Sequence, residues 1–113
     1  MKNIITPLLL CIGLSVSAQV KFNGTNNSGY AASAIGTNTT ASNYASTAMG
    51  DGTTASGDRS TAMGYQTTAS GYSSIAMGNQ TTASGNTSTA MGQFTTASGI
   101  ASTAMGSYTI ASD

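Results

Sequence analysis

The sequence predicts an all-β fold, a parallel β-solenoid of about six 14-residue coils, and three observations predict it. Methionine recurs every fourteen residues from Met49 to Met105, which is the signature of a repeat architecture. Each repeat consists of two halves of seven, and both halves read small-Thr-Ala-x-Gly followed by two variable residues. Because threonine and isoleucine favour strands and glycine favours turns, each half is expected to be a five-residue strand closed by a two-residue corner.

The repeat is clearest in four consecutive copies, STAMGDGTTASGDR, STAMGYQTTASGYS, SIAMGNQTTASGNT and STAMGQFTTASGIA, the first of which begins at Ser46. A weaker copy begins at Ala32, with Ile35 in the methionine position, and an incomplete copy begins at Ser102. Stacking these units at roughly 4.8 Å per coil predicts a rod about 28 Å long.

Other periodic structures fit the sequence less well. A coiled coil needs large apolar residues at both core positions, and the chain has no leucine beyond residue 18. Collagen needs glycine at every third position, whereas only 14 of the 113 residues are glycine. Disorder is the main rival because Ser, Thr, Asn and Gly dominate, but disordered segments do not usually keep methionine at one fixed spacing.

Alternation within a strand assigns the side chains of each half to two faces. In the first half Ser60, Ala62 and Gly64 share the small face, which is expected to line a narrow interior, while Thr61 and Met63 face outward. The alanines expected in the interior form two columns: Ala34, Ala48, Ala62, Ala76, Ala90 and Ala104 on one sheet, and Ala41, Ala55, Ala69, Ala83, Ala97 and Ala111 on the other.

The second half follows the same alternation with different outward residues. Thr67, Ala69 and Gly71 are expected to face inward, and Thr68 and Ser70 to face water. Glycine at the end of both halves is expected to supply the positive φ that a tight corner requires.

The outer face of the first half forms an apolar-leaning stripe, and such a stripe is typical of an interface. Since an alanine interior contributes little hydrophobic stabilisation, burial against further copies of the chain is the favoured interpretation. The alternative places the methionines inside the roll as its core. The predicted interface residues are Ile35, Thr47, Met49, Thr61, Met63, Ile75, Met77, Thr89, Met91, Thr103 and Met105.

Composition excludes most chemistry. The chain has no histidine and no glutamate, its formal net charge is zero, and charged residues make up 5%. We therefore expect no catalytic residues, no metal site, no cofactor and no nucleic-acid partner. Aromatic side chains at the variable corners are the candidate ligand contacts. They are Tyr30, Tyr44 and Tyr72 at one corner and Tyr65, Phe94 and Tyr108 at the other.

The first eighteen residues have the pattern of a signal peptide. A short basic start precedes the apolar run from Ile4 to Val16, and Val16-Ser17-Ala18 offers a cleavage site before Gln19. The run is shorter than the ~20 residues of a membrane-spanning helix. The predicted organisation is a signal peptide over 1–18, an N-terminal cap or degenerate repeat over 19–29, and the repeats over 30–113.

The unit Ser-x-Ala-Met-Gly-x-x-Thr-x-Ala-x-Gly resembles the head repeat of trimeric autotransporter adhesins, the YadA-like left-handed parallel β-roll, and the resemblance covers about Ser28 to Asp113. In that family a Ser-Val-Ala-Ile-Gly core recurs and three chains pack around a three-fold axis. The resemblance gives Met63 and its column the isoleucine role and Thr61 and its column the valine role. Threonine in place of valine is a departure, because it brings a hydroxyl into the seam between chains.

The resemblance implies a non-enzymatic adhesin head at the cell surface, in the outer membrane or outside the cell. Its expected partners are two further copies of itself in a homotrimer and a host or matrix surface protein, with membrane contact only through a C-terminal anchor that this sequence lacks. Two alternatives remain open: a structural fibre or spacer module without its own ligand, and an ice-binding solenoid that uses a threonine array such as Thr40, Thr54, Thr68, Thr82 and Thr96.

Overall fold

The computed structural model describes residues 23–113, so the predicted signal peptide lies outside the described residues. Within these described residues, thirteen strands, β1 to β13, alternate between two parallel sheets and form a β-solenoid of about six coils, which confirms the predicted fold class. The even-numbered strands build the long sheet, and the odd-numbered strands build the short sheet.

Strands of the long sheet have five residues each. They are β2 (Ser33–Thr37), β4 (Thr47–Asp51), β6 (Thr61–Tyr65), β8 (Ile75–Asn79), β10 (Thr89–Gln93) and β12 (Thr103–Ser107). Strands of the short sheet have two residues each. They are β1 (Asn26–Asn27), β3 (Thr40–Ala41), β5 (Thr54–Ala55), β7 (Thr68–Ala69), β9 (Thr82–Ala83), β11 (Thr96–Ala97) and β13 (Ile110–Ala111).

Neighbouring strands pair in parallel with a constant shift of one repeat. In the long sheet Ala62 lies beside Ala76 and Met63 beside Met77, and in the short sheet Thr68 lies beside Thr82. Because the same residue type recurs at the same register position, each face of each sheet consists of columns of like side chains.

Strands of five residues were expected in both halves of the repeat. The long-sheet strands have five residues, and the short-sheet strands have only two. Ser60 N–H closes the preceding turn on the carbonyl of Gly57 at 3.2 Å, so the long-sheet ladder begins at Thr61. In the other half Ser70 N–H and Gly71 N–H both donate to the carbonyl of Ala83, at 2.9 and 3.3 Å. Two successive donors on one acceptor end the regular ladder, and the second strand is therefore short.

The expectation of positive φ at both glycines is correct for only one of them. Gly64, at the end of the long-sheet half, has a φ of +121°, whereas Gly71 is not among the residues with positive φ. Gly71 is required for a different reason, since a Cβ there would lie 2.1 Å from the carbonyl oxygen of Gly85 in the next coil. The left-handed conformation at the corners falls instead on residues such as Arg59 (φ 56°) and Gln66 (φ 51°).

Hydrogen bonds between coils offset the strain at those corners. Arg59 N–H donates to the carbonyl of Tyr44 at 2.7 Å, and Gln66 N–H donates to the carbonyl of Asp51 at 2.8 Å. A left-handed non-glycine residue costs roughly 1–2 kcal/mol, which is comparable with the net contribution of such a bond. Each corner is therefore held by the coil that precedes it.

Only small side chains fill the interior. The buried side chains of residues 23–113 are alanine, serine and threonine, and the largest fully buried ones are threonines such as Thr67 and Thr81. All of the alanines expected inside are buried except Ala111, which is half-buried at the last coil. Ala32 is also buried, in the column that serine occupies in later coils.

Candidate functional site

The outer face of the long sheet carries the methionines of the repeat in register, and we call it the long-sheet face. It consists of one column that begins at Ser33 and continues as Thr47 and Thr61, and a second column that begins at Ile35 and continues through the methionines. The side chains point away from the interior because strand residues alternate between faces and Ala34, between the two columns, is buried. From Ile35 to Met105 the second column spans five coil spacings, about 24 Å.

Exposure varies along the methionine column and is greatest at Met105, in the last coil. Met49 is 39% exposed and Met105 is 59% exposed, while Met63, Met77 and Met91 between them are half-buried. Each central methionine lies between methionines of the coils before and after it, and this stacking covers part of its side chain. The face therefore presents a continuous row of polarizable, adaptable side chains.

The predicted interface residues all belong to this long sheet, and none lies in the interior of the described roll. Ile75 replaces threonine in the first column and is exposed, so the middle coil is the most apolar point of the face. The predicted set is otherwise distributed over every coil from Ile35 to Met105.

The outer face of the short sheet, which we call the short-sheet face, is polar. Its column of half-buried threonines runs in register through Thr54, Thr68 and Thr82, and Ile110 takes the same position in the last coil. Serines such as Ser70 and Ser84 are exposed beside it. Hydroxyl groups can hydrogen-bond to water, so this face needs no protein partner.

Aromatic side chains at one corner form a ladder with an arginine. The rings of Tyr30 and Tyr44 stack with centroids 5.9 Å apart and an interplanar angle of 7°. The guanidinium of Arg59 lies 5.4 Å from the centroid of Tyr44 and 5.5 Å from that of Tyr72, and it also donates a hydrogen bond to the hydroxyl of Tyr72. We call these four residues the aromatic corner.

The opposite corner holds the other three predicted contact residues in two columns. Phe94 and Tyr108 stack with centroids 4.9 Å apart, whereas Tyr65 is exposed in the neighbouring column, where Asp51 and Asn79 are its strand partners. The sequence pattern missed Arg59. The signal that could have found it is its position next to the tyrosine column, 15 residues after Tyr44 and 13 residues before Tyr72.

Within residues 23–113, no three side chains of His, Cys, Asp or Glu lie close enough together to hold a metal ion. The same part of the chain contains no helix with the length and apolar character to span a bilayer.

The fourteen-residue repeat matches one known family. The YadA head domain repeat, described in units of two copies, matches the chain in overlapping segments over residues 28–53, 41–67, 55–81, 69–95 and 83–109. This chain belongs to the YadA head domain repeat family.

Three properties are general to this family. YadA heads are non-enzymatic adhesin modules, they form homotrimers in general, and the autotransporters that carry them are exposed at the cell surface. No curated protein and no solved structure matches this chain.

Proposed function

We propose that this chain is an exported adhesin head that attaches to a host or matrix surface protein and that its working form is a homotrimer packed through the long-sheet face. The single observation that carries the proposal is the contrast between the two outer faces. One is a continuous row of methionine with threonine and isoleucine, and the other is threonine and serine.

The energetics of the roll support self-association. An interior of alanine, serine and threonine recovers little hydrophobic free energy, since the gain scales at roughly 25 cal/mol per Å² of apolar area buried. A methionine that passes fully from water into an apolar contact contributes about 1.5–3 kcal/mol, and about half of that remains to be gained by the half-buried Met63, Met77 and Met91. Trimerisation gives this surface a partner of matching period.

The aromatic residues of the two corners are the proposed contacts for the host or matrix protein. Tyrosine combines a large apolar ring with a hydroxyl and is enriched among residues that dominate binding energy. Tyr44 and Tyr72 are each 46% exposed and Tyr65 is 44% exposed, so each has ring surface to bury against a partner. Export by residues 1–18 would bring the head to the surface where such partners are met.

Adhesion is tested by binding of the purified head, residues 19–113, to a panel of immobilised extracellular-matrix proteins. We expect at least one to bind, and we expect the triple change of Tyr44, Tyr65 and Tyr72 to alanine to weaken that binding by about a hundredfold, since hot-spot residues contribute about 2 kcal/mol each and overlap in effect. The control is Ser70→Ala on the short-sheet face, which should leave binding unchanged.

A trimer that binds none of the panel would make the chain a structural spacer and contradict the adhesin role. N-terminal sequencing of the exported protein tests the signal peptide separately, and the expected first residue is Gln19. An intact Met1 on the surface-exposed protein would contradict the predicted cleavage.

The threonine column of the short-sheet face supports one other candidate function, binding to ice. Thr54, Thr68 and Thr82 are in register at the coil spacing, which gives a regular array of hydroxyl and methyl groups. Thermal hysteresis of the purified chain that disappears in Thr68→Tyr would favour this candidate over adhesion. Absence of hysteresis would exclude it.

A further inference from the structure

The solenoid repeat creates a modification motif wherever asparagine occupies the first position of a corner. From Ser46 onward the residue two places after that position is an inward-facing serine or threonine. Two corners of this part of the chain therefore read Asn79-Gln80-Thr81 and Asn86-Thr87-Ser88, while the other such triplets of the chain, at Asn23, Asn26 and Asn38, precede it. The pattern Asn-x-Ser/Thr is the acceptor signal for N-linked glycosylation in exported proteins.

Both asparagines are placed to carry a sugar. Asn79 and Asn86 are exposed at opposite corners of the roll. The side-chain Oδ1 of Asn86 accepts a hydrogen bond from Tyr72 N–H at 3.2 Å. Because that bond uses the oxygen, a substituent on the amide Nδ2 leaves it intact.

The third residue of each motif is hidden in the folded chain. Thr81 and Ser88 are 0% exposed, and their hydroxyl groups have no hydrogen-bond partner in the interior. A transferase that recognises the motif needs access to this hydroxyl, and the stacked coils deny it. Sugar transfer must therefore precede the folding of these coils.

We propose that Asn79 and Asn86 are N-glycosylation acceptors and that they are modified on the unfolded chain, before the coils stack. The donor class is a sugar activated at C1 by a diphosphate ester. A bond forms between the asparagine Nδ2 and C1, the bond from C1 to the diphosphate oxygen breaks, and the diphosphate leaves with the electron pair. The proton lost from Nδ2 passes to a base of the transferase.

Glycans at these two positions would project from the corners and leave the centres of both outer faces uncovered. The sugar on Asn86 would lie one coil from Tyr72, beside the aromatic corner, and would add hydrogen-bonding groups to that surface. This inference goes beyond the proposed adhesin function and does not depend on which partner the head binds.

The test is peptide mass spectrometry of the full-length protein purified from the cells that naturally express it. We expect the peptides that contain Asn79 and Asn86 to carry a sugar mass on the asparagine, and Ser88→Ala to lose the modification at Asn86 while Ser88→Thr keeps it. Ser74→Ala is the matched control, since it removes a hydroxyl from the same buried column but follows Tyr72 instead of an asparagine. Unmodified asparagines, or sugar that persists on Asn86 in Ser88→Ala, would overturn the proposal.

The timing is tested in vitro with a soluble N-glycosyltransferase of Asn-x-Ser/Thr specificity and a nucleoside-diphosphate glucose. The urea-unfolded and freshly diluted chain should be modified at least about tenfold faster than the folded chain, because the folded chain exposes the hydroxyl only when it opens. Equal rates would overturn modification before folding. Sedimentation of the same variants measures assembly independently, so loss of the sugar is distinguishable from loss of the trimer.

Discussion

The two sheets of this solenoid arise from nearly the same seven-residue pattern and yet present different surfaces. In the first half of the repeat the outward residue before glycine is methionine, as in Met63, and in the second half it is serine, as in Ser70. The interior sides of the two sheets are alike, with alanine and a small hydroxyl residue in both. The difference teaches that one position in each half sets how apolar the outer face is, while the other positions build the roll.

The largest expected effect is a loss of unfolding free energy when the stacking of the coils, on which both sheets depend, is disturbed. Gly78→Ala would place a Cβ 2.0 Å from the carbonyl oxygen of Gly92 at a φ of +125°, so the stacked coils must separate. We expect a loss of about 3 kcal/mol or more in unfolding free energy, measured by urea denaturation followed by circular dichroism.

Gly52→Ala is the matched control for that change. Gly52 has a φ of +65°, and an added Cβ would come no closer than 3.4 Å to Gln66. In other coils the equivalent corner position is occupied by Gln66 and Gln80, which have φ of 51° and 53°. The loss of unfolding free energy in Gly52→Ala should therefore be about 1 kcal/mol. Equal destabilisation by the two variants would show that close coil contact at Gly78 is not the constraint.

The second prediction concerns a charge introduced on the long-sheet face. Met77→Lys would place like charges from three chains in one seam without counter-ions, and we expect the trimer to dissociate at micromolar concentration. Thr82→Lys puts the same charge on the short-sheet face, where water solvates it, and should leave the sedimentation coefficient unchanged. A trimer that survives Met77→Lys but not Thr82→Lys would assign the interface to the other sheet.

The third prediction compares the removal of a methionine side chain from the long-sheet face with the removal of a serine hydroxyl from the short-sheet face. Met63→Ala removes apolar area that trimerisation would bury, and we expect a loss of about 1–2 kcal/mol per chain, seen as a lower thermal midpoint that depends on concentration. Ser70→Ala, at the equivalent position of the second half, should change the unfolding free energy by less than about 0.5 kcal/mol. Equal effects at the two positions would contradict a partner on one face only.

The smallest expected effect concerns the interior that both sheets share. The hydroxyl of Ser74 is buried without a partner, so Ser74→Ala should be neutral or should stabilise the chain by up to about 1 kcal/mol. Ser46 lies in the same column, but its hydroxyl donates to the carbonyl of Asn43 at 2.8 Å and accepts from Asn43 N–H at 3.3 Å. Ser46→Ala should therefore destabilise by about 1 kcal/mol, and the opposite ranking in urea denaturation would contradict this account.

Sequence alone predicts the coil period, the parallel register and the identity of the inward alanines. These follow from strict fourteen-residue spacing and from alternation, both of which are local to the chain. The backbone geometry of individual residues is harder to predict from the sequence. The short second strand results from two N–H groups, of Ser70 and Gly71, on one carbonyl of the next coil, and no periodicity reveals that.

Two details of the corners were beyond the sequence pattern for the same reason. Gly71 is required by contact with the carbonyl of Gly85, and not by its own φ, so only the stacked structure identifies the constraint. Arg59 joins Tyr44 and Tyr72 because side chains from three coils meet, which depends on the twist and spacing of the stack. Contacts between successive coils, more than properties of single residues, account for what the sequence pattern missed.

The central claim is that the methionine side of the roll is buried against two other copies of the chain. Sedimentation equilibrium of residues 19–113 at several concentrations measures the mass of the assembly directly. We predict three times the mass of one chain, and a shift toward the single-chain mass in Met77→Lys. A strictly monomeric and folded chain at every concentration would contradict the claim.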